Sequence, residues 1–374
     1  MSGIDEYIGS FDEEPGYLDF ARFGPPGQIV EAEVSGQMTL MSRARFGSLE
    51  ALMAQDQRMR DAVAAISGFN SDQVIFQPNT SEGLMHAMFG LTGAIALSPL
   101  EFPSLTYAAQ RASEALGVLS PIWLETDHGR VTPGNIRDQL TSTTVAVAVS
   151  LVDYRTGYLA DLDGIRQVIG DRLLIVDAIQ GLGVVEAPFE VADVVACAGY
   201  KWARAGAGTG FLALSDRAAE QLIPVWSGYT GGDTDDQVAP SIAPPIRGAG
   251  GFTVSKPDPV AQARLAAALE QIAQVGVGAI RDRVTEIVSQ VIEIADEYAI
   301  PVVSSRDERE RAGIVVLEPA ADQLTVLAAS LHNHGISVTI RNGTVRLSAH
   351  ATTDDETLAM LRSAFLSFST ATNV

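Results

Sequence analysis

From about residue 47 onward, short apolar runs alternate with stretches of helical periodicity, and no other feature constrains the fold of this chain as strongly. A short run that is apolar on both faces suits a strand in a sheet covered on both sides, which is the setting of parallel sheets with crossover helices. The runs fall at Val74–Phe76, Ala94–Leu97, Pro121–Leu124, Thr144–Ser150, Leu173–Val176, Val194–Ala198 and Gly210–Ala213. Helical spacing separates the earlier ones, at Gly47–Ile66, Glu82–Leu91 and near Tyr107–Leu116. The pattern predicts an α/β fold built on a mostly parallel sheet of seven-stranded type.

A stretch rich in Gly, Pro and Asp, Ser227–Pro257, interrupts the alternation and reads as a long surface or active-site loop. Helices are predicted after it at Pro259–Val275 and Ala279–Tyr298, then a strand at Ile314–Leu317 and a helix at Ala321–His332. Strands near Val338–Arg341 and Thr344–Leu347 and a final helix, Asp354–Phe368, complete the chain. The expected organisation is a large domain over 18–255 and a smaller C-terminal α/β domain over 256–374, joined by the N-terminal segment 1–17.

Charge narrows the partners. The 374 residues include 25 Lys or Arg and 46 Asp or Glu, a formal net charge of −21, with no basic cluster. Such a body repels phosphodiester backbones and anionic lipid heads, which argues against nucleic acid and membrane as partners. The longest apolar run, Val145–Val152, falls far short of the ~20 residues of a membrane-spanning helix. One cysteine, Cys197, leaves no internal disulfide, and the start Met-Ser-Gly-Ile-Asp-Glu lacks the basic and apolar regions of a secretion signal; a cytoplasmic location is the expectation. His332 and His334 stand two apart without a Cys partner, so no metal site is expected.

Two charged residues mark the rim of the predicted sheet. Asp177 ends the run Leu173–Val176, and Lys201 follows the run Val194–Ala198, in Val176-Asp177-Ala178-Ile179-Gln180 and Ala198-Gly199-Tyr200-Lys201-Trp202. Both fall where open α/β sheets bind ligands. A lysine amine and a carboxylate placed so suit pyridoxal 5'-phosphate: the amine forms a Schiff base, and the carboxylate keeps the pyridine nitrogen protonated. Taken singly, each is equally a charged residue at a strand end. Thr80 and Ser81, in Asn79-Thr80-Ser81-Glu82-Gly83, sit at a predicted helix N-terminus where backbone N–H groups and hydroxyls can cradle a phosphate, or where Asn79 or Thr80 simply caps the helix. Phe102, in Glu101-Phe102-Pro103-Ser104, puts a ring at the same rim, for stacking on the pyridine or for the core.

Together these segments, with Gly206-Ala207-Gly208-Thr209-Gly210 downstream, resemble the class V aminotransferase superfamily, the fold type I pyridoxal-phosphate enzymes that include cysteine desulfurases and kynureninases. The resemblance runs from Tyr17-Leu18-Asp19 to Arg346-Leu347-Ser348-Ala349-His350. It implies that Lys201 carries the Schiff base, that Asp177 partners the pyridine nitrogen, and that Thr80, Ser81 and Tyr200 hold the phosphate. It further implies Phe102 stacked on the ring, Gln180 at the phenolic oxygen, and Arg346 on the substrate's α-carboxylate, with Arg341 a competitor for that role. A homodimer is implied too, with the loop Ser227–Gly251 reaching a neighbour's cofactor. Arg22, Phe23, Tyr154, Arg155, Tyr229 and Thr230 are candidates for the substrate wall, Tyr229 foremost.

Val152-Asp153-Tyr154-Arg155-Thr156-Gly157 and Glu101-Phe102-Pro103-Ser104 lean toward kynureninases. Three positions depart from them: Gln180 replaces a His, Gly228-Tyr229-Thr230-Gly231-Gly232 replaces a loop bearing Trp and His, and Leu105 replaces an Asp. Cysteine desulfurases use a nucleophilic Cys in a late loop, whereas Cys197 lies in an apolar run just before Lys201. The expected activity is a lyase that forms an external aldimine and α-carbanion from a small α-amino acid and expels a β-substituent through sulfur or carbon. An aminotransferase or epimerase is the alternative, and a noncatalytic binding protein is the third reading.

Overall fold

The computed structural model describes residues 3–234 and 241–372. Residues 235–240 of the expected loop Ser227–Pro257 lie outside the described residues. Near the N-terminus come helices α1 (Gly3–Ile8), α2 (Gln28–Arg43), α3 (Ser48–Met53) and α4 (Gln55–Ser67). The sheet strands are β1 (Val74–Phe76), β2 (Gly93–Leu97), β3 (Leu119–Trp123), β4 (Thr144–Ser150), β5 (Leu173–Asp177), β6 (Val194–Ala198) and β7 (Gly210–Leu214). Helices α5 (Thr80–Gly90), α6 (Pro103–Leu116), α7 (Pro133–Gln139), α8 (Leu162–Ile169) and α9 (Asp216–Gln221) connect or follow them.

These seven strands form one sheet in the order β1-β7-β6-β5-β4-β2-β3. All run parallel except β7, which is antiparallel to both β1 and β6. The expected mostly parallel sheet is therefore present. Its central strands β5, β6 and β7 are buried at every position, as a sheet covered on both faces requires. Separate apolar clusters fill the two faces: Val147, Val149, Leu174 and Val176 point to one, and Ala146, Ala148, Leu173 and Ile175 to the other.

Beyond the loop come α10 (Pro259–Val275) and α11 (Val277–Glu297), then β8 (Ile314–Leu317), α12 (Leu324–Asn333), β9 (Thr339–Arg341), β10 (Thr344–Ser348) and α13 (Asp355–Thr372). The last three strands make a second, antiparallel sheet in the order β8-β10-β9. Residues 16–24 run between the two sheets. Tyr17 and Asp19 form bridges with Ser337 and Ser348, and Gly24 N–H donates to the Tyr200 carbonyl at 2.9 Å. This places the N-terminal segment directly against the lysine loop.

Candidate active site

Register fixes the rim. Ser150, Asp177 and Ala196 lie side by side across β4, β5 and β6, so Asp177 stands at the carboxyl end of the central strands. Lys201 follows β6 in a turn closed by Arg204 N–H to the Lys201 carbonyl at 3.1 Å and by Thr209 Oγ1 to the Gly206 carbonyl at 2.6 Å. Arg204 itself is left-handed at φ 57°, and Gly206 and Gly208 have φ of 81° and 78°. The glycine-rich segment is thus a tight turn beside the site, with its glycines where positive φ requires them.

Asp177 and Lys201 are both buried, with 2% and 5% of their surface exposed. Burial raises the Asp177 carboxyl to about 6, despite the Ile179 N–H that Oδ1 accepts at 3.0 Å and the charge of Lys201. The same desolvation lowers the Lys201 amine to about 8 against the attraction of Asp177. Asp177 Oδ2 is buried and has no hydrogen-bond partner among the described residues.

Around the lysine, Nζ lies 5.5 Å from the centre of the Phe102 ring and 5.7 Å from that of Tyr200. Phe102 immediately precedes Pro103, the first residue of α6, and its ring meets Tyr154 edge-on at 5.1 Å. Gln180 is spoken for at both ends: Nε2 donates to the Ala21 carbonyl at 3.0 Å, and Oε1 accepts from Trp202 Nε1 at 2.8 Å. Its side chain still lines the pocket formed by Phe102, Ser150, Asp177 and Lys201.

Thr80 and Ser81 open α5. Asn79 is the N-cap, its Oδ1 accepting from Glu82 N–H at 2.9 Å, so the capping reading of this segment is correct for Asn79. The two hydroxyls remain for another use. Thr80 Oγ1 is buried without a partner among the described residues, and Ser81 Oγ shares a hydrogen bond with Ser104 Oγ at 2.7 Å.

Arg346 reaches the site from β10. It donates to the Tyr154 carbonyl and to Thr339 Oγ1, each at 3.2 Å, lies 3.7 Å from Asp19, and keeps a buried Nε without a partner. Arg346, Lys201, Tyr200, Gln180, Phe102 and Tyr154 line one cleft of about 1060 Å³. Arg22, Arg155 and Arg341 line it as well. Tyr229 does not: it stands 52% exposed outside that lining, and Phe23 and Thr230 are also outside it.

The sequence profile of the family described as Aminotransferase class-V matches residues 38–374. The chain belongs to the class-V aminotransferase family. As a member it is a pyridoxal-phosphate-dependent enzyme of fold type I. A probable cysteine desulfurase of Methanothermobacter thermautotrophicus is 28% identical over 57% of this chain, which spans 56% of that relative. A kynureninase of Deinococcus radiodurans is 27% identical over 70% of this chain and 66% of its own length. Among solved structures, a cysteine desulfurase from Thermococcus onnurineus NA1 superimposes with a TM-score of 0.83 at 22% identity, covering 93% of each chain. The cystine C-S lyase C-DES, in complex with its reaction product cysteine persulfide, does so at 0.84 and 17%, covering 94% of this chain and 97% of its own.

Within this class-V fold, two groups go beyond the motif residues. Glu101 turns its carboxylate inward, accepting from Ser150 Oγ at 2.5 Å and Ser150 N–H at 3.2 Å, and burial with Asp153 and Asp177 nearby raises it to about 7. Arg204, fully buried, pairs with Glu13 at 2.5 Å and lies 3.6 Å from the centre of the Phe11 ring, which ties the N-terminal segment to the lysine turn. Glu101 sat in a motif read only for Phe102; Arg204 had no sequence signal beyond being a charged residue in an otherwise apolar, glycine-rich turn. Leu105 is fully buried in α6, and Cys197 is buried in β6 with its thiol pushed up by desolvation.

Proposed function

We propose that this class-V enzyme is a lyase that expels a β-substituent, through sulfur or carbon, from a small α-amino acid, working as a homodimer. One observation carries the placement of the cofactor: Asp177 Oδ2 and Thr80 Oγ1 are buried, unpartnered, and on the same rim as a buried lysine. Such atoms cost about 1–3 kcal/mol each when left bare. A pyridinium N–H and a phosphate oxygen have the chemistry to satisfy them.

Asp177 holds a proton at the ring nitrogen. Thr80 and Ser81, with the first N–H groups of α5, hold the phosphate without a basic side chain. Phe102 and Tyr200 flank Lys201 and keep water from it. When bound, pyridoxal phosphate supplies an electron sink for charge developing at the substrate's α-carbon. Arg346 binds the α-carboxylate through its guanidinium fork. Lys201, whose amine is already lowered to about 8, takes the α-proton as general base and can return it as general acid.

The kynureninase relative supports the lyase branch, and Cys197 separates it from a desulfurase. Cys197 is the one cysteine of the chain, buried in β6 and held neutral by desolvation, so no protein thiolate here receives sulfur from a substrate. Transamination is the second reading, favoured by an uncharacterized aminotransferase, YcbU, of Bacillus subtilis that is 24% identical over 78% of each chain.

Absorbance between 300 and 500 nm tests the first step, in wild type and Lys201→Ala, before and after borohydride. A band near about 420 nm that borohydride abolishes and the variant lacks is expected; a colourless wild type with added pyridoxal phosphate sinks the reading. Pyruvate or alanine released from a small amino acid without an amino acceptor then supports the lyase, and a strict requirement for a keto acid supports transamination instead.

A further inference from the structure

The cleft over Lys201 is cationic in a chain whose net charge is −21. Five arginines line it, and the only carboxylate on that lining is Glu318, which is exposed and ion-paired to none of them among the described residues. Three of the five are already matched. Arg346 and Arg22 lie 3.7 and 4.0 Å from Asp19, and Arg155 lies 3.0 Å from Asp153. Arg130 rests over the Tyr158 ring at 5.5 Å, and Arg341 is exposed; neither forms an ion pair with a carboxylate among the described residues.

The register of the small sheet relates Arg341 to Arg346. Arg346 on β10 stands opposite Thr339 on β9, and Arg341 is two residues further along β9. Residues two apart on a strand share a face with the residue opposite the first, so the two arginines are diagonal neighbours, roughly 7–8 Å apart at the backbone and somewhat closer at Cβ. Their proximity is also electrostatic, because the charge of Arg341 helps to lower the pKa of Arg346. β9 is an edge strand of the small sheet, and Arg341 on it is exposed and lines the cleft.

We infer that the site selects α-amino acids bearing a second anionic group on the side chain, with Arg346 taking the α-carboxylate and Arg341 the distal anion. The inference rests on the reading of Lys201 and Arg346 given above. A neutral side chain leaves Arg341 unmatched, whereas a carboxylate, sulfinate or phosphate at that distance pairs with a guanidinium that has no ion-pair partner among the described residues.

The test is a spectral titration of the loaded protein, in wild type, Arg341→Ala and Arg341→Lys, at low ionic strength and near 0.5 M salt. L-Aspartate is compared with L-asparagine and L-glutamate with L-glutamine; L-cysteine sulfinate and O-phospho-L-serine distinguish sulfinate and phosphate from carboxylate. The acids are expected to bind about tenfold more tightly than their amides in wild type. That ratio should shrink toward one in Arg341→Ala, survive in part in Arg341→Lys, and fall with salt. Equal affinity for acid and amide in wild type overturns the inference, and so does an Arg341→Ala variant that weakens both by the same factor, which would put Arg341 on the α-carboxylate. A wild type without the borohydride-sensitive band overturns the cofactor reading and this inference with it, whereas a normal band with no preference overturns this inference alone.

Discussion

Lys201 and Asp177 are each driven by burial toward neutrality, the amine down to about 8 and the carboxyl up to about 6, and the chain's reactivity toward an aldehyde follows from the first shift. Only the unprotonated amine attacks, so borohydride trapping of pyridoxal phosphate on the cofactor-free protein should accelerate about tenfold per pH unit below 8 and level off above it. An inflection near the ordinary lysine value of 10.5 would contradict the shift. Asp177→Asn removes the charge that holds the amine up, and should move the inflection lower. Glu101 offers a stability test. Burial pushes its carboxyl up from the ordinary 4.5 to about 7, so the folded state binds the proton more tightly. The stability this confers is full below pH 4.5 and is lost as pH rises through 7. Glu101→Gln keeps a partner for Ser150 and should flatten that loss by about 1–3 kcal/mol in denaturant melts at pH 4.5 and 7.5; an unchanged pH slope would refute it. Lys201 and Asp177 are legible in the sequence because charges interrupt apolar runs. Glu101 is not, since Ser150, which buries its carboxylate, lies 49 residues away and leaves no local pattern.

At the scale of elements, what the sequence reveals tracks how completely a segment is buried. β4 and β6 are readable to the residue because each is a short run with an apolar centre, buried at every position but Val145. β3 begins at Leu119 rather than Pro121, because as an edge strand it tolerates the proline inside it. α2 carries no signature in the sequence: only Val30 and Gln37 of its sixteen residues are buried, so no apolar stripe marks it. The expected single helix Gly47–Ile66 is two, α3 and α4, meeting at Ala54. The reversal of β7 has no signature in the run Gly210–Ala213, since burial on both faces looks the same in either direction. Two glycines test the N-terminal segment against this background. A Cβ on Gly24 would sit 2.0 Å from the Lys201 carbonyl oxygen, and one on Gly36 of α2 would meet nothing within 4 Å. Gly24→Ala should therefore destabilise by about 1–3 kcal/mol and weaken the 420 nm band, because the segment and the lysine turn must separate. Gly36→Ala, in an exposed helix, should stabilise by about 0.5–1 kcal/mol and leave the band alone. Equal melting midpoints for the two variants would remove the segment from the site.

For the whole molecule, the cleft joins the rim of the large sheet to the three-stranded sheet, so a ligand seated there couples their stability. Asp177 Oδ2 and Thr80 Oγ1 remain bare until something fills the rim. Binding to the folded state alone stabilises by about 2.7 kcal/mol at a hundredfold excess over Kd. In a chain of 374 residues each kcal/mol moves the melting midpoint by about 1–2 °C, extending the trend of smaller domains. Pyridoxal phosphate should therefore raise Tm by about 3–5 °C, measured at one scan rate because large chains often unfold irreversibly. Lys201→Ala loses the covalent link but keeps both oxygens, so a smaller rise should persist. Thr80→Ala removes one bare hydroxyl and should show a higher midpoint than wild type before cofactor is added and a smaller increment after it; Asp177→Asn exchanges the bare oxygen for an amide NH2, which cannot accept from a pyridinium, and should show the smaller increment alone. If those two variants gain as much from the cofactor as wild type does, the oxygens are not its anchors, and the phosphate and ring lie elsewhere on the rim.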